Sequence, residues 1–122
     1  MDNLLIYGPA SSGKSYIGKF LADAYHVPFF DLNEQIEERT GDKLADIVQA
    51  IREEGFRNVE ADIFEDLVFT HDNAVIALGN KTLLRESSKK IAESENVVIV
   101  LDWEKKDLQH ASSKDKDVND DS

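Results

Sequence analysis

The sequence predicts an α/β fold in which a short parallel sheet is covered by helices on both faces. Three observations predict it. Apolar stretches of strand length alternate with stretches of helical periodicity over residues 1–103. The run Val97-Val98-Ile99-Val100-Leu101 is apolar at every position, which fits a strand buried on both of its faces. Between the first strand and the first helix lies Gly8-Pro9-Ala10-Ser11-Ser12-Gly13-Lys14-Ser15, with the spacing GxxxxGK[ST], a strand–loop–helix unit of parallel sheets. Parallel strands need helical crossovers, so the architecture is three layers, αβα.

The elements follow in order. Leu4-Leu5-Ile6-Tyr7 is the first strand, and the helix after the glycine loop places Ile17, Phe20, Leu21, Ala24 and Tyr25 on one face. Pro28-Phe29-Phe30-Asp31 is a short second strand. Leu32 to about Thr40 is an acidic helix whose Glu34, Glu37 and Glu38 form a solvated face, and Gly41 suits its stop. Leu44, Ile47, Val48 and Ile51 repeat at helical spacing, and Phe56, Val59, Ile63, Phe64 and Leu67 do so on a second, longer helix. Ala74-Val75-Ile76-Ala77-Leu78 is a third strand. Leu83, Leu84, Ser87, Ser88 and Ile91 mark another helix before the Val97–Leu101 strand. In residues 104–122 only Leu108, Ala111 and Val118 are apolar. Such a segment buries too little surface to offset chain entropy, so a disordered tail is expected there. Trp103 either covers sheet surface or offers a platform for a base.

Composition narrows the function. The chain has 122 residues, 41% hydrophobic and 32% charged, and contains no cysteine. Disulfides, zinc–thiolate sites and thiol nucleophiles are thereby excluded. The net charge of −11 argues against nonspecific binding of nucleic acid or of an anionic membrane. No signal peptide or membrane span is read, and a cytoplasmic location is expected by default. His26, His71 and His110 show no metal-ligand spacing.

The glycine loop carries the chemistry. Gly8 and Gly13 let backbone N–H groups, with Ser11 and Ser12 between them, converge on phosphate oxygens. The following helix adds the positive end of its dipole. Lys14 reaches the β- and γ-phosphates, and the Ser15 hydroxyl ligates magnesium, so Mg²⁺ with ATP or ADP is the expected cofactor and ligand. Asp31, ending the second strand, supports that metal site or caps the helix after it. Arg57 has Glu53 and Glu60 at helical spacing on its own helix and can pair with either.

Several segments together resemble the shikimate kinases, P-loop kinases of the nucleoside-monophosphate-kinase type. They are Gly8 to Ser15, Pro28-Phe29-Phe30-Asp31-Leu32-Asn33, Ile36 to Gly41, Glu53 to Glu60, and Ala74 to Gly79, within a similarity running from Leu4 to Asp102. The resemblance implies a P-loop NTPase-type sheet of about four strands in the order 2-3-1-4, with Val97–Leu101 at an open edge. An apolar edge is a route to self-association. It implies transfer of the ATP γ-phosphate to shikimate or a similar hydroxylated carboxylate, a step of aromatic amino-acid biosynthesis. It gives Lys14 and Asp31 catalytic roles, Ser15 and Asp31 the metal, and Asn33, Arg57 and Gly79 the substrate, with Arg57 on its carboxylate and Glu60 orienting Arg57. A planar guanidinium suits a carboxylate because two parallel hydrogen bonds form.

The chain also departs from the family pattern. Asn33 replaces an aspartate that receives substrate hydroxyls, and a lost charged hydrogen bond costs about 1.5–3 kcal/mol. Asn80 and Lys81 replace two glycines. The resemblance places a lid, its arginine, a second substrate arginine, a fifth strand and the adenine pocket after the Val97–Leu101 strand, and none is read in these 122 residues. Such arginines contribute roughly 10³–10⁵ in rate. Three expectations therefore stand side by side: a small-molecule kinase, a nucleotide- or phosphate-binding protein of the same fold without turnover, or a shortened product without selected function.

Overall fold

The computed structural model describes residues 3–9 and 13–101. Strand β1 (Leu4–Tyr7) leads through the glycine loop to helix α1 (Lys14–Tyr25). Then come β2 (Phe29–Asp31), α2 (Leu32–Thr40), α3 (Leu44–Thr70) and β3 (Val75–Ala77). A 3-10 turn (Thr82–Leu84), α4 (Glu86–Glu95) and β4 (Val97–Val100) complete the described chain. The four strands form one sheet in the order β2-β3-β1-β4, and every pairing is parallel. This is the expected α/β architecture and strand order. Ser11, Ser12, Trp103 and the 104–122 tail lie outside the described residues.

Alternation along β1 and β3 divides the core in two. Leu5 and Ile76 pack with Leu32, Ile36, Phe56, Phe64 and Leu67 beneath α2, α3 and α4, whereas Ile6 and Val75 pack with Ala22 of α1 on the other face. The buried centre is β3 and the middle of β1; Leu5, Ile6 and Ile76 have no exposed surface.

Four sequence expectations need correction. Phe20 and Tyr25 do not belong to the buried face of α1; they are 66% and 69% exposed. The buried stripe runs instead through Gly18 and Ala22, because α1 lies so close to β2 that a Cβ on Gly18 would stand 2.4 Å from Phe29 Cε1. The last strand is not buried on both faces: Val97 and Val100 are 53% and 59% exposed, since among the described residues β4 pairs only with β1 and lies at the edge of the sheet. The helix read from Leu83 begins as a 3-10 turn and becomes α-helical only at Glu86. Glu37 is not simply solvated, because its Oε2 accepts the Leu44 N–H at 2.9 Å and so caps α3.

The two helices expected between residues 44 and 67 are joined into α3, which breaks at Arg52 (φ 68°, ψ 174°). Gly41 ends α2 as expected, at φ 80°, with its N–H donating to Glu37 O at 2.8 Å. Among the described residues no helix is long and apolar enough to cross a membrane.

Candidate active site

The carboxyl ends of the parallel strands gather the candidate residues, which is where open α/β sheets place ligands. β1 delivers Gly8, β2 delivers Asp31, and β3 delivers Gly79. Gly13 is the N-cap of α1 at φ 86°, a left-handed conformation, and provides no side-chain cap. Gly13 thus leaves the first-turn N–H groups of α1 without a cap from its own side chain, as an anion site at a helix N-terminus requires.

Lys14 folds back over the loop, donating from Nζ to Gly8 O at 2.8 Å and to Pro9 O at 2.9 Å. Burial pulls its pKa below the ordinary lysine value, and the nearby Asp31 charge opposes that shift. Ser15 Oγ donates to Asp31 Oδ2 at 2.5 Å, a short charge-assisted bond. Asp31 Oδ1 meanwhile accepts the N–H groups of Asn33 (2.9 Å) and Glu34 (3.2 Å). The two roles left open for Asp31 are thus compatible: one carboxylate oxygen caps α2 and the other faces the glycine loop.

The hydroxyl and carboxylate oxygens of Ser15 and Asp31 fit magnesium, which takes hard oxygen donors and usually one or two protein side chains with phosphates and water. Among the described residues no group of three or more His, Cys, Asp or Glu side chains is arranged to hold a metal by itself. A nucleotide-borne magnesium suits this donor set better than an all-protein cage.

A cavity of about 430 Å³ is lined by Asn33, two residues after Asp31, and by Leu44, Phe56, Arg57, Glu60 and Gly79, among others. The structure therefore brings Asn33, Arg57 and Gly79 to one place from α2, α3 and the end of β3. Arg57 is gripped from below: Nη1 donates to Glu60 Oε1 at 2.8 Å, and Nη2 to Glu53 Oε2 at 3.2 Å. Burial works to lower the Arg57 pKa, but the bonds and charges of Glu60 and Glu53 outweigh it, and the net shift is upward.

Two contributors escaped sequence reasoning. Thr82 Oγ1 accepts the Gly79 N–H at 2.8 Å and donates to Glu60 Oε2 at 2.8 Å. Tyr7 Oη donates to Asn80 O at 3.1 Å, tying the end of β1 to the loop after β3. The spacing of Thr82, three residues after Gly79, was the available signal for the first. A Cβ on Gly79 would stand 2.8 Å from Glu60 Oε2 and 3.1 Å from Thr82 Oγ1, so this position has no room for a side chain.

A parallel sheet in this order, with a glycine loop opening α1 and an aspartate bonded to the loop serine, defines a P-loop α/β protein. A family model for shikimate kinase matches residues 10–121. The chain is 34% identical over 115 residues to a shikimate kinase of Thioalkalivibrio sulfidiphilus, covering 94% of this chain and 60% of the relative. It is 35% identical over 100 residues to that of Colwellia psychrerythraea, covering 82% and 58%. The solved shikimate kinase of Acinetobacter baumannii, in complex with shikimate, superposes with TM-score 0.79 at 26% identity over 83% of this chain and 56% of that one. The Aquifex aeolicus enzyme gives 0.79 at 25% identity over 88% and 64%. The chain belongs to the shikimate kinase family. It spans about three fifths of the length of the curated relatives it matches. The family match runs to residue 121, beyond the Leu4–Asp102 similarity read from the sequence.

Proposed function

We propose that the chain binds Mg-ATP at the glycine loop and shikimate, or a similar hydroxylated carboxylate, in the Asn33–Arg57–Gly79 cavity, and that it transfers the γ-phosphoryl group between them. One observation carries the reading. Asp31 at the end of β2 and Asn33 in the first turn of α2 serve the two halves of the site: Asp31 bonds to Ser15 of the glycine loop, and Asn33 lines the cavity.

In this reading Gly8, Ser11, Ser12 and Gly13 wrap the phosphates, and Lys14 exchanges its two carbonyl partners for β- and γ-phosphate oxygens. Magnesium, held by Ser15 and Asp31, neutralises phosphate charge when bound. Arg57 receives the substrate carboxylate, and the Glu60 carboxylate fixes its guanidinium plane. Asn33 meets a substrate hydroxyl, and Gly79, whose Cβ space is taken by Glu60 and Thr82, brings bare backbone to the cavity wall. The substrate hydroxyl oxygen bonds to the γ-phosphorus as the bond from phosphorus to the bridging oxygen of ADP breaks, and the hydroxyl proton passes to Asp31. The products are ADP and 3-phosphoshikimate.

A second reading, nucleotide binding without turnover, draws support from the side chains of Asn80 and Lys81 beside Gly79 and from the amide at Asn33. One experiment separates the two. Shikimate-dependent release of ADP from Mg-ATP is measured for the wild type and for Lys14→Ala, alongside calorimetry of Mg-ADP binding. The proposal expects turnover that falls at least about 100-fold in Lys14→Ala. Mg-ADP binding without shikimate-dependent release would replace it with the second reading.

A further inference from the structure

Next to the cavity used above lies another of about 390 Å³, lined by Glu53, Arg57, Lys81, Leu84 and Arg85. Three of its five residues are cations, in a chain whose net charge is −11. Local positive charge gathered in a concave site against an opposing overall field is the electrostatic requirement for holding an anion. A carboxylate already sits there. Glu53 Oε2 accepts from Arg57 Nη2 at 3.2 Å, and Lys81 Nζ lies 3.6 Å from the same oxygen. The Glu53 carboxyl is held below the usual carboxylate range by its bond to Arg57 and then by the Lys81 charge.

That hold is loose. The Glu53 side chain is 58% exposed, and an exposed pair contributes little because water competes on equal terms. Glu53 is therefore a displaceable occupant. Arg85 has charge to spare: its Nη1 donates at 2.9 Å to the neutral Oδ1 of Asn58, and it forms no ion pair among the described residues. Leu84, 74% exposed, gives the hollow one apolar wall. Arg57 lines both cavities, so the two hollows share one guanidinium and a single small molecule can reach both.

We infer that Lys81 and Arg85, with Arg57, form a second anion subsite continuous with the proposed substrate cavity, occupied in the free chain by the Glu53 carboxylate. The preferred ligand is then a hydroxylated carboxylate bearing a second acidic group, a carboxylate or a phosphate. The inference rests on the proposed function for the seat of the first carboxylate, whereas the seat of the second group depends on Lys81 and Arg85.

The test is a set of amide NMR titrations of the full chain carrying Lys14→Ala, which removes the loop lysine's hold on phosphate. The probes are shikimate with one acidic group, malate with two carboxylates, and 3-phosphoglycerate with a carboxylate and a phosphate. Malate or 3-phosphoglycerate is expected to shift the amides of Glu53 and Lys81–Arg85. Adding Lys81→Ala is expected to weaken that ligand about tenfold more than it weakens shikimate, and Glu53→Gln to tighten it about threefold. Whichever of the two binds more tightly identifies the second group as carboxylate or phosphate. Arg85→Gln is a second variant at an exposed position, and the spectra themselves report whether each variant is folded. Absence of shifts at Glu53 and Lys81–Arg85, or equal weakening of all three probes by Lys81→Ala, overturns the subsite. The two proposals fail separately: these shifts without shikimate-dependent ADP release leave the subsite standing, and turnover without the shifts removes the subsite alone.

Discussion

Thr82 joins groups that the sequence presents as unrelated. Its hydroxyl takes the Gly79 N–H and gives its own proton to Glu60, which in turn holds Arg57. Thr82 and Glu60 are 2% and 3% exposed, so water cannot replace a missing partner. Thr82→Val is nearly isosteric but strands an amide and a carboxylate oxygen, and is expected to lower unfolding free energy by about 1–3 kcal/mol. Thr82→Ser, which keeps the hydroxyl, should recover most of that. Urea unfolding measures both, and a valine variant as stable as wild type would show that the chain of bonds contributes nothing. The residues at either end of this chain were legible because charge and glycine carry pattern: Arg57 and Glu60 lie three apart on a helix, and Gly79 ends a strand. Thr82 and Tyr7 were not: a hydroxyl looks the same in sequence whether it faces solvent or closes a network, and the spacing of Thr82 from Gly79 does not tell the two apart.

The break in α3 shows what periodicity reveals about an element and what it hides. The change of apolar phase between Ile51 and Phe56 was visible in sequence, and it reflects a real discontinuity in the helix. Its position was not, because the residue that takes the positive φ is Arg52 (φ 68°, ψ 174°), not the glycine three positions on. Gly55 is needed for space instead: a Cβ there would stand 2.9 Å from Ile51 Cβ across the break. Arg52 occupies a region that only glycine enters freely, at a cost of order 1–3 kcal/mol. Glycine gives back about 0.4–1 kcal/mol through the greater freedom of the unfolded chain. Arg52→Gly is therefore expected to stabilise the protein by about 1 kcal/mol, seen as a raised thermal midpoint. A lowered midpoint would mean that the arginine side chain contributes more than its backbone costs. The face of α1 was misread for a related reason. Helical spacing fixes which residues share a face but not how closely the helix approaches the sheet, and the tight contact of Gly18 with Phe29 turns Phe20 outward.

For the whole molecule, the decisive asymmetry is between the two edges of the sheet and the charge around them. Strand order was legible only through the family resemblance that the motif segments carry, since the crossover rule narrows the topologies without choosing among them. Exposure of β4 was not, since an all-apolar run reads as buried whether or not a neighbour covers it. Among the described residues β4 pairs on one side only, with β1, and presents Val97 and Val100 at 53% and 59% exposure. An uncovered edge of this kind templates pairing with a second copy, and a two-fold arrangement would close it. Against this stands a net charge of −11 on each chain, whose repulsion reaches only about 8 Å at physiological salt and less as salt rises. Edge pairing and repulsion thus respond oppositely to ionic strength. Sedimentation velocity of the full chain is expected to show monomer at low salt and a growing dimer fraction as salt and concentration increase. Val100→Lys places a charge on the strand and should remove that fraction without unfolding the sheet, because the position is already exposed. Dimer that persists in Val100→Lys would place the contact elsewhere, and monomer under every condition would mean that β4 is an edge the molecule leaves unpaired.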